Sequence, residues 1–206
     1  TQEWVRSIYH RAKALDPHRI VEDNSPCRYD HVETDLNTWH FYLNGYEIVR
    51  DHIRKVVEET YPGSPFNFIG ENRQTDAPLM NSECGMVWGV DGSAGDSDLA
   101  WQYHYMLNEY RLHEKLCGFV FTEFHDVVNE FNGYYRIDNT DKDFGYQDFC
   151  RGMSLCDLHA ADFLAVDCPP MQTVAPGAAV AVPLVLSSFS DAHHGETCSV
   201  EWELWH

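Results

Sequence analysis

Residues 78–89 read Pro-Leu-Met-Asn-Ser-Glu-Cys-Gly-Met-Val-Trp-Gly, an apolar run that ends on the carboxylate of Glu83 and then breaks into glycines. A strand carrying Glu at its carboxyl end, with a loop directly behind it, presents that side chain at the mouth of an α/β barrel, where such folds keep their chemistry. Spacing alone leaves two readings open: a catalytic carboxylate, or a strand-end Glu that is solvated or paired structurally.

The elements around it must bring other groups to that mouth. Residues 3–15 place Trp4, Ile8, Ala12 and Leu15 on one helical face, with Arg6, Arg11 and Lys13 elsewhere, and Asp16-Pro17 stops the helix. Residues 19–25 read as a short first strand running into a polar loop, and 34–42, dense in aromatic and polar side chains, as a second. A helix follows over 46–61, with Val49, Ile53, Val56 and Val57 inward, Asp51 and Lys55 at i,i+4 spacing, and Pro62-Gly63 at its end. The third strand is 79–83, followed by a loop over 85–95 with four glycines. Asp96 or Ser97 can cap a long helix to about residue 116, with Leu99, Tyr103, Met106 and Tyr110 on one face and Gly118 in the C′ position. Residues 119–122 are continuous and apolar, as in a buried parallel strand, and exit into a loop containing the Asn132-Gly133 turn.

Strands alternating with helices predict βαβ units and a parallel sheet. A closed barrel takes about eight strands and roughly 250 residues. The four strands counted here therefore make either an open sheet or the second half of a barrel. After a helix over 146–156 the pattern changes to β runs at 163–166, 180–186 and 200–204, separated by prolines and by a His193-His194-Gly195 turn. Val200, Trp202 and Leu204 alternate with Glu201 and Glu203, as in a half-buried antiparallel strand. The predicted organisation is an α/β domain over 1–157 and an incomplete β-sandwich over 158–206.

The chain of 206 residues is 44% hydrophobic, and its 14 basic against 33 acidic residues give a formal charge of −19. That charge repels phosphate backbones and anionic lipid surfaces, so neither nucleic acid nor membrane is an expected partner. No run approaches the ~18 to 20 apolar residues of a membrane span. Seven cysteines with no CxxC pair fit reduced thiols in a reducing compartment, which makes the cytoplasm the expected location. The sequence opens on Thr1, so a missing leader leaves periplasmic or secreted placement open. His193-His194-x-Glu196-x-Cys198 and Asp138-x-x-Asp141-x-Asp143 lack metal-site spacing, and no metal or cofactor is expected.

Four motifs in order make the pattern familiar. They are Leu-Asp-Pro-His-Arg-Ile-Val-x-Asp-Asn-Ser at 15–25, Thr-Asp-Leu-Asn-Thr-Trp-His-Phe-Tyr at 34–42, Pro-Leu-Met-Asn-Ser-Glu-Cys-Gly at 78–85, and Gly-Phe-Val-Phe-Thr-Glu-Phe-His-Asp-Val-Val-Asn-Glu-Phe-Asn-Gly at 118–133. Together they resemble the carboxyl-terminal half of the (β/α)8 catalytic barrel, a TIM barrel, of family 2 glycoside hydrolases, the β-galactosidase and β-glucuronidase group. The strands after residue 158 resemble the start of the immunoglobulin-like sandwich that such enzymes carry next.

The resemblance implies a retaining hydrolase of terminal β-linked sugars, with two carboxylates ~5 to 5.5 Å apart working through a glycosyl-enzyme intermediate. It maps the nucleophile onto Glu83 and the tyrosine that supports it onto Tyr42. His40 matches a histidine lining the sugar pocket, with a core histidine as the other reading. Trp39 or Trp88 is a stacking platform for a pyranose or a packing residue. Asp126, Glu130 and Asn132 lie on the loop above the pocket as binding or loop-ordering residues. The family's acid/base, the Glu of an Asn-Glu pair, maps upstream of Thr1; Asn108-Glu109 falls inside a helix and Asn129-Glu130 in a late loop. Where many members carry tryptophan on the last strand, this chain has Phe121-Thr122-Glu123, which bears on the substrate more than on the fold. The competing class is a non-catalytic carbohydrate-binding or structural piece that self-associates through unpaired barrel edges.

Overall fold

The structure is a computed structural model that describes residues 1–25, 29–85, 99–128 and 130–204. Its elements are α1 (Gln2–Leu15), β1 (Asn37–Tyr42), α2 (Tyr46–Glu59), β2 (Leu79–Gly85), α3 (Leu99–Arg111), β3 (Leu116–Phe121), α4 (Tyr146–Phe149), a 3-10 turn at Leu155–His159, β4 (Asp162–Val166) and β5 (Leu184–Ser188). The order β1-β2-β3 forms a parallel sheet, with α2 and α3 as the crossovers between its strands. The chain is thus a mixed α/β fold with a parallel sheet, as the alternating pattern predicts.

The core lies between the sheet and its helices. In β1 the odd positions Asn37, Trp39 and Phe41 are buried, and Trp39 and Phe41 meet Tyr110 of α3 edge-on. Val49, Ile53 and Val56 of α2 and Tyr103, Met106 and Leu107 of α3 complete it. Ile53 and Leu107 are wholly buried, each worth about 1.5–3 kcal/mol relative to exposure.

Polar side chains pin the register of the strands. Asn81 Nδ2 donates to the Trp39 carbonyl, Asn67 Nδ2 donates to the Asn37 side chain and the Thr38 carbonyl, and Asn37 Nδ2 donates to Gln74. The β4–β5 ribbon is antiparallel and is fixed to α3 by Asn108, whose amide bonds both the N–H and the carbonyl of Val166.

Several local expectations are corrected. Residues 19–25 do not form a strand: their described backbone is held by side chains, with Asp35 Oδ2 accepting from Val21 N and Lys13 Nζ donating to the Arg19 carbonyl. The parallel sheet therefore has three strands among the described residues. α1 docks through its polar side, Arg6 to Glu33 and Asn72, Tyr9 and Lys13 to Asp35, and leaves Trp4 and Leu15 66% and 79% exposed. α3 ends at Arg111, where Leu112 N and His113 N turn back to Glu109 O and Tyr110 O; the chain then enters β3, so Gly118 is a strand residue and not a cap. Its predicted caps, Asp96 and Ser97, lie outside the described residues.

The predicted helix over 146–156 is instead the short α4 and the 3-10 turn, separated by Gly152 at φ 83°. β5 begins only after Pro183, which has no N–H to give a ladder. Residues 200–204 pair with no strand among the described residues and leave Trp202 82% exposed: alternation without a partner does not make a strand. On α2, Asp51 pairs with Arg50, and Lys55 with Glu59, rather than with each other.

Candidate active site at the carboxyl ends of the strands

In a strand of period two, successive side chains face opposite ways. Thr38, His40 and Tyr42 of β1 therefore share the face opposite Trp39 and Phe41. On β2 simple alternation would put Glu83 in phase with buried Leu79 and Asn81. The register prevents this: Trp39 is opposite Asn81 but His40 is opposite Glu83, so Ser82 is an inserted bulge residue. A bulge re-aims the side chains beyond it. Glu83 thereby joins His40 and Tyr42, while Cys84 turns into the core, where burial pushes its thiol pKa up to about 12.

The carboxylate of Glu83 is bonded from β1 on one oxygen and faces an imidazole on the other. Tyr42 Oη donates to Oε1 at 2.7 Å, and His40 Nδ1 lies 3.5 Å from Oε2. Burial, then the bond to Glu83, raises the Tyr42 pKa far above that of an ordinary phenol, so it remains a protonated donor; its oxygen is also bonded to the Thr122 side chain. Glu83 remains 38% exposed, open to an incoming molecule, whereas His40 is 10% exposed. His40 Nε2 in turn lies 3.0 Å from Ser82 Oγ and 3.2 Å from Ser25 Oγ.

The segment carrying Ser25 is locked by a buried chain of bonds. Asp23 accepts from the backbone N–H of Val32 and Glu33 and lies 2.7 Å from His31 Nδ1. His31 Nε2 accepts from Thr38 N, and Thr38 Oγ1 donates to Glu22 at 2.5 Å.

The loop after β3 closes the other side. The Thr122–Glu123 peptide is cis. Asp126 Oδ1 accepts from Gly133 N at 2.9 Å and from Lys142 Nζ at 2.6 Å. Asn132 is wholly buried, and its Nδ2 would stand 3.0 Å from a Cβ placed on Gly85. One Glu123 oxygen is buried without a hydrogen bond; burial, then the charge of Glu130, raises its pKa.

Of the residues singled out from sequence, the structure brings Glu83, Tyr42 and His40 together and sets Asn132 beside them. Asp126 is used up in bonds within its own loop. Trp39 is 3% exposed and stacks on Phe41, with its indole N–H donating to His52, so it offers no face to a sugar. Trp88 lies outside the described residues. Glu109 lies on α3, not at the carboxyl end of a strand, and is buried between Arg54 and His113. Sequence reasoning passed over Ser25, Ser82 and Thr122. The signal for Ser82 was present: a carboxylate in phase with an apolar face implies a bulge.

No family model matches the chain, and no curated protein matches it. Among solved structures, a GH2 beta-galacturonidase from Eisenbergiella tayi bound to glycerol superposes with a TM-score of 0.52 at 16% identity, over 74% of this chain and 30% of its own. The same enzyme bound to galacturonate gives 0.52, 16%, 74% and 31%. A Faecalibacterium prausnitzii beta-glucuronidase gives 0.43 at 17% identity, over 68% of this chain and 26% of its own. At such identities the likeness is one of fold. The resemblance carried by the four sequence motifs thus has a counterpart in three dimensions: the fold neighbours are family 2 glycoside hydrolases, and the chain spans less than a third of the galacturonidase.

Proposed function

We propose that this chain is the nucleophile-bearing part of a retaining β-glycosidase that removes terminal β-linked sugars, and that the general acid/base lies on a segment outside it. The observation that carries this is Glu83: a carboxylate at the carboxyl end of a parallel strand, with Tyr42 Oη on one oxygen, the His40 ring on the other, and an open approach. The three parallel strands are read as the last three of a (β/α)8 barrel, residues 1–157 as its second half and 158–206 as the opening of a β-sandwich.

In this reading Glu83 attacks the anomeric carbon as the glycosidic bond breaks, and the protonated leaving group departs. Water then hydrolyses the glycosyl ester and restores the carboxylate. Tyr42 aims Glu83 by donating to one carboxylate oxygen, and the His40 ring faces the other. The sugar is galactoside-like; galacturonate, named for the fold neighbour, is galactose oxidised at C6, so both belong in a substrate panel. The 206-residue chain by itself is expected to be silent, since one carboxylate cannot both attack and protonate.

The test is hydrolysis of aryl β-galactosides, β-galacturonides and β-glucuronides by the full-length protein containing this segment and by its Glu83→Gln variant. Loss by orders of magnitude in the variant is expected. Unchanged hydrolysis would make Glu83 structural and end the reading.

A further inference from the structure

We infer that Ser82 and Ser25 are positioning residues that fix the tautomer of His40, directing its Nδ1–H at the Glu83 carboxylate. The inference rests on the glycosidase reading only for its catalytic consequence; the tautomer itself is a property of this chain.

His40 Nδ1 lies 3.5 Å from Glu83 Oε2. An unprotonated Nδ1 would set a lone pair beside an anion, whereas Nδ1–H turns the same contact into attraction. With the proton there, neutral imidazole must accept at Nε2. Two hydroxyls converge on that nitrogen, Ser82 Oγ at 3.0 Å and Ser25 Oγ at 3.2 Å, and each can rotate its proton toward the ring.

The two serines arrive by independent devices. Ser82 is the bulge residue, so the irregularity that re-aims Glu83 also brings a hydroxyl to the histidine. Ser25 follows the Asp23 lock on His31, Val32 and Glu33. The carboxylate, which can only accept, favours the proton on Nδ1, and the serine hydroxyls, which can donate, supply the partner that this tautomer needs at Nε2. For Glu83 the consequence is a hydrogen-bond donor from β1 on one oxygen and an N–H, not a lone pair, facing the other. Neither serine touches the substrate path in this scheme; both act through the ring.

The experiment is side-chain nitrogen NMR of the chain labelled with 15N-histidine, at about pH 8.5 so that the imidazoles are neutral, with His40 assigned by its loss in His40→Gln. The expected result is Nδ1–H in the unsubstituted chain, a move toward Nε2–H in Ser25→Ala/Ser82→Ala, and retention of Nδ1–H in Ser82→Thr. Finding Nε2–H at the outset, or an unmoved signal in the double variant, overturns the inference. Ser25→Ala alone, on a loop, keeps the measurement open should Ser82→Ala fail to fold. In the full-length hydrolase the double variant should lose about tenfold in kcat with KM little changed, the size of a lost hydrogen bond to a charged group, and Ser82→Thr should restore it. Silence of Glu83→Gln on activity would sink the glycosidase reading while leaving the NMR result standing; an unmoved tautomer would do the reverse.

Discussion

Gly85→Ala tests how tightly the strand ends are fitted around Glu83. A Cβ on Gly85 would meet Tyr42 Cε1 at 2.8 Å, Tyr42 Cδ1 at 3.0 Å and Asn132 Nδ2 at 3.0 Å. The ring must therefore retreat by nearly an ångström to reach ordinary carbon–carbon contact at about 3.5–4.0 Å. Asn132 is wholly buried and Tyr42 is bonded on one side to Glu83 and on the other to Thr122, so neither can yield freely. Overpacking of this kind costs about 1–3 kcal/mol. Displacing Tyr42 also removes a hydrogen bond to a charged group, about 1.5–3 kcal/mol of hold on the carboxylate. Urea unfolding of the 206-residue chain should show the first effect as a lower midpoint at unchanged m-value. In the full-length protein, on the proposed glycosidase reading, the second should appear as a kcat reduced by about ten- to a hundredfold, matched by Tyr42→Phe and not additive with it. If Gly85→Ala unfolds with the parent and hydrolyses like it, the contact between Tyr42, Asn132 and the end of β2 is not the constraint described, and the reasoning fails.

Asp23→Ala leaves the His31 ring and the buried Val32 N–H without their acceptor; at about 1–3 kcal/mol per unpaired buried donor, stability at neutral pH should fall by at least about 2 kcal/mol. Burial opposes ionisation of Asp23, but the His31 bond and the two backbone bonds outweigh it and hold its pKa below the ordinary value of 3.8, so its contribution is complete above about pH 4 and fades as pH drops through the lowered value; acid titration of the unfolding midpoint should show the two proteins converging there. Glu123→Gln has the opposite sign: the raised pKa means the fold loses stability as pH climbs from the ordinary 4.5 to the raised value, so the amide variant should be the more stable near neutrality and match the parent in acid, as thermal melts at pH 3.5 and 7.5 would reveal.

How far the sequence could be read depended on what kind of interaction decided each element. α2, β1 and β2 were visible because burial dictates them: Val49, Ile53 and Val56 recur at helical spacing, and Glu83 follows an apolar run. Residues 19–25 and 200–204 carry strand-like composition, yet a strand exists only when another strand accepts its hydrogen bonds, and nothing in residues 19–25 announces that Asp35 will bond both the N–H and the carbonyl of Val21 instead. α1 shows the same limit: its apolar stripe was legible, but Arg6, Tyr9 and Lys13 decide which side docks. At the candidate site, strand ends and motif order pointed to Glu83, Tyr42 and His40, and the fold brings these three side chains together. For Trp39 the strand's alternation decides between stacking platform and packing residue: an aromatic next to His40 on a strand points the opposite way, into the core.

That alternation explains why structure and site are so closely joined in β1. Odd residues 37, 39 and 41 fill the core, while 38, 40 and 42 hold Glu22 and His31, the serines, and Glu83 in turn. A slip of one residue would exchange the two sets, sending Trp39 into the cleft and His40 into the core. Hydrophobicity resists the slip from one face, and the amides of Asn37, Asn67 and Asn81, bonded to backbone and to one another, resist it from within the buried layer. A core of hydrocarbon alone would tolerate small sliding; buried amides do not, because each misplaced bond exposes an unpaired polar group to the interior. The register that keeps Trp39 dry is therefore the same register that holds Tyr42 at 2.7 Å from Glu83, so variants that loosen the asparagine network should lose the geometry of the carboxylate before they lose the fold.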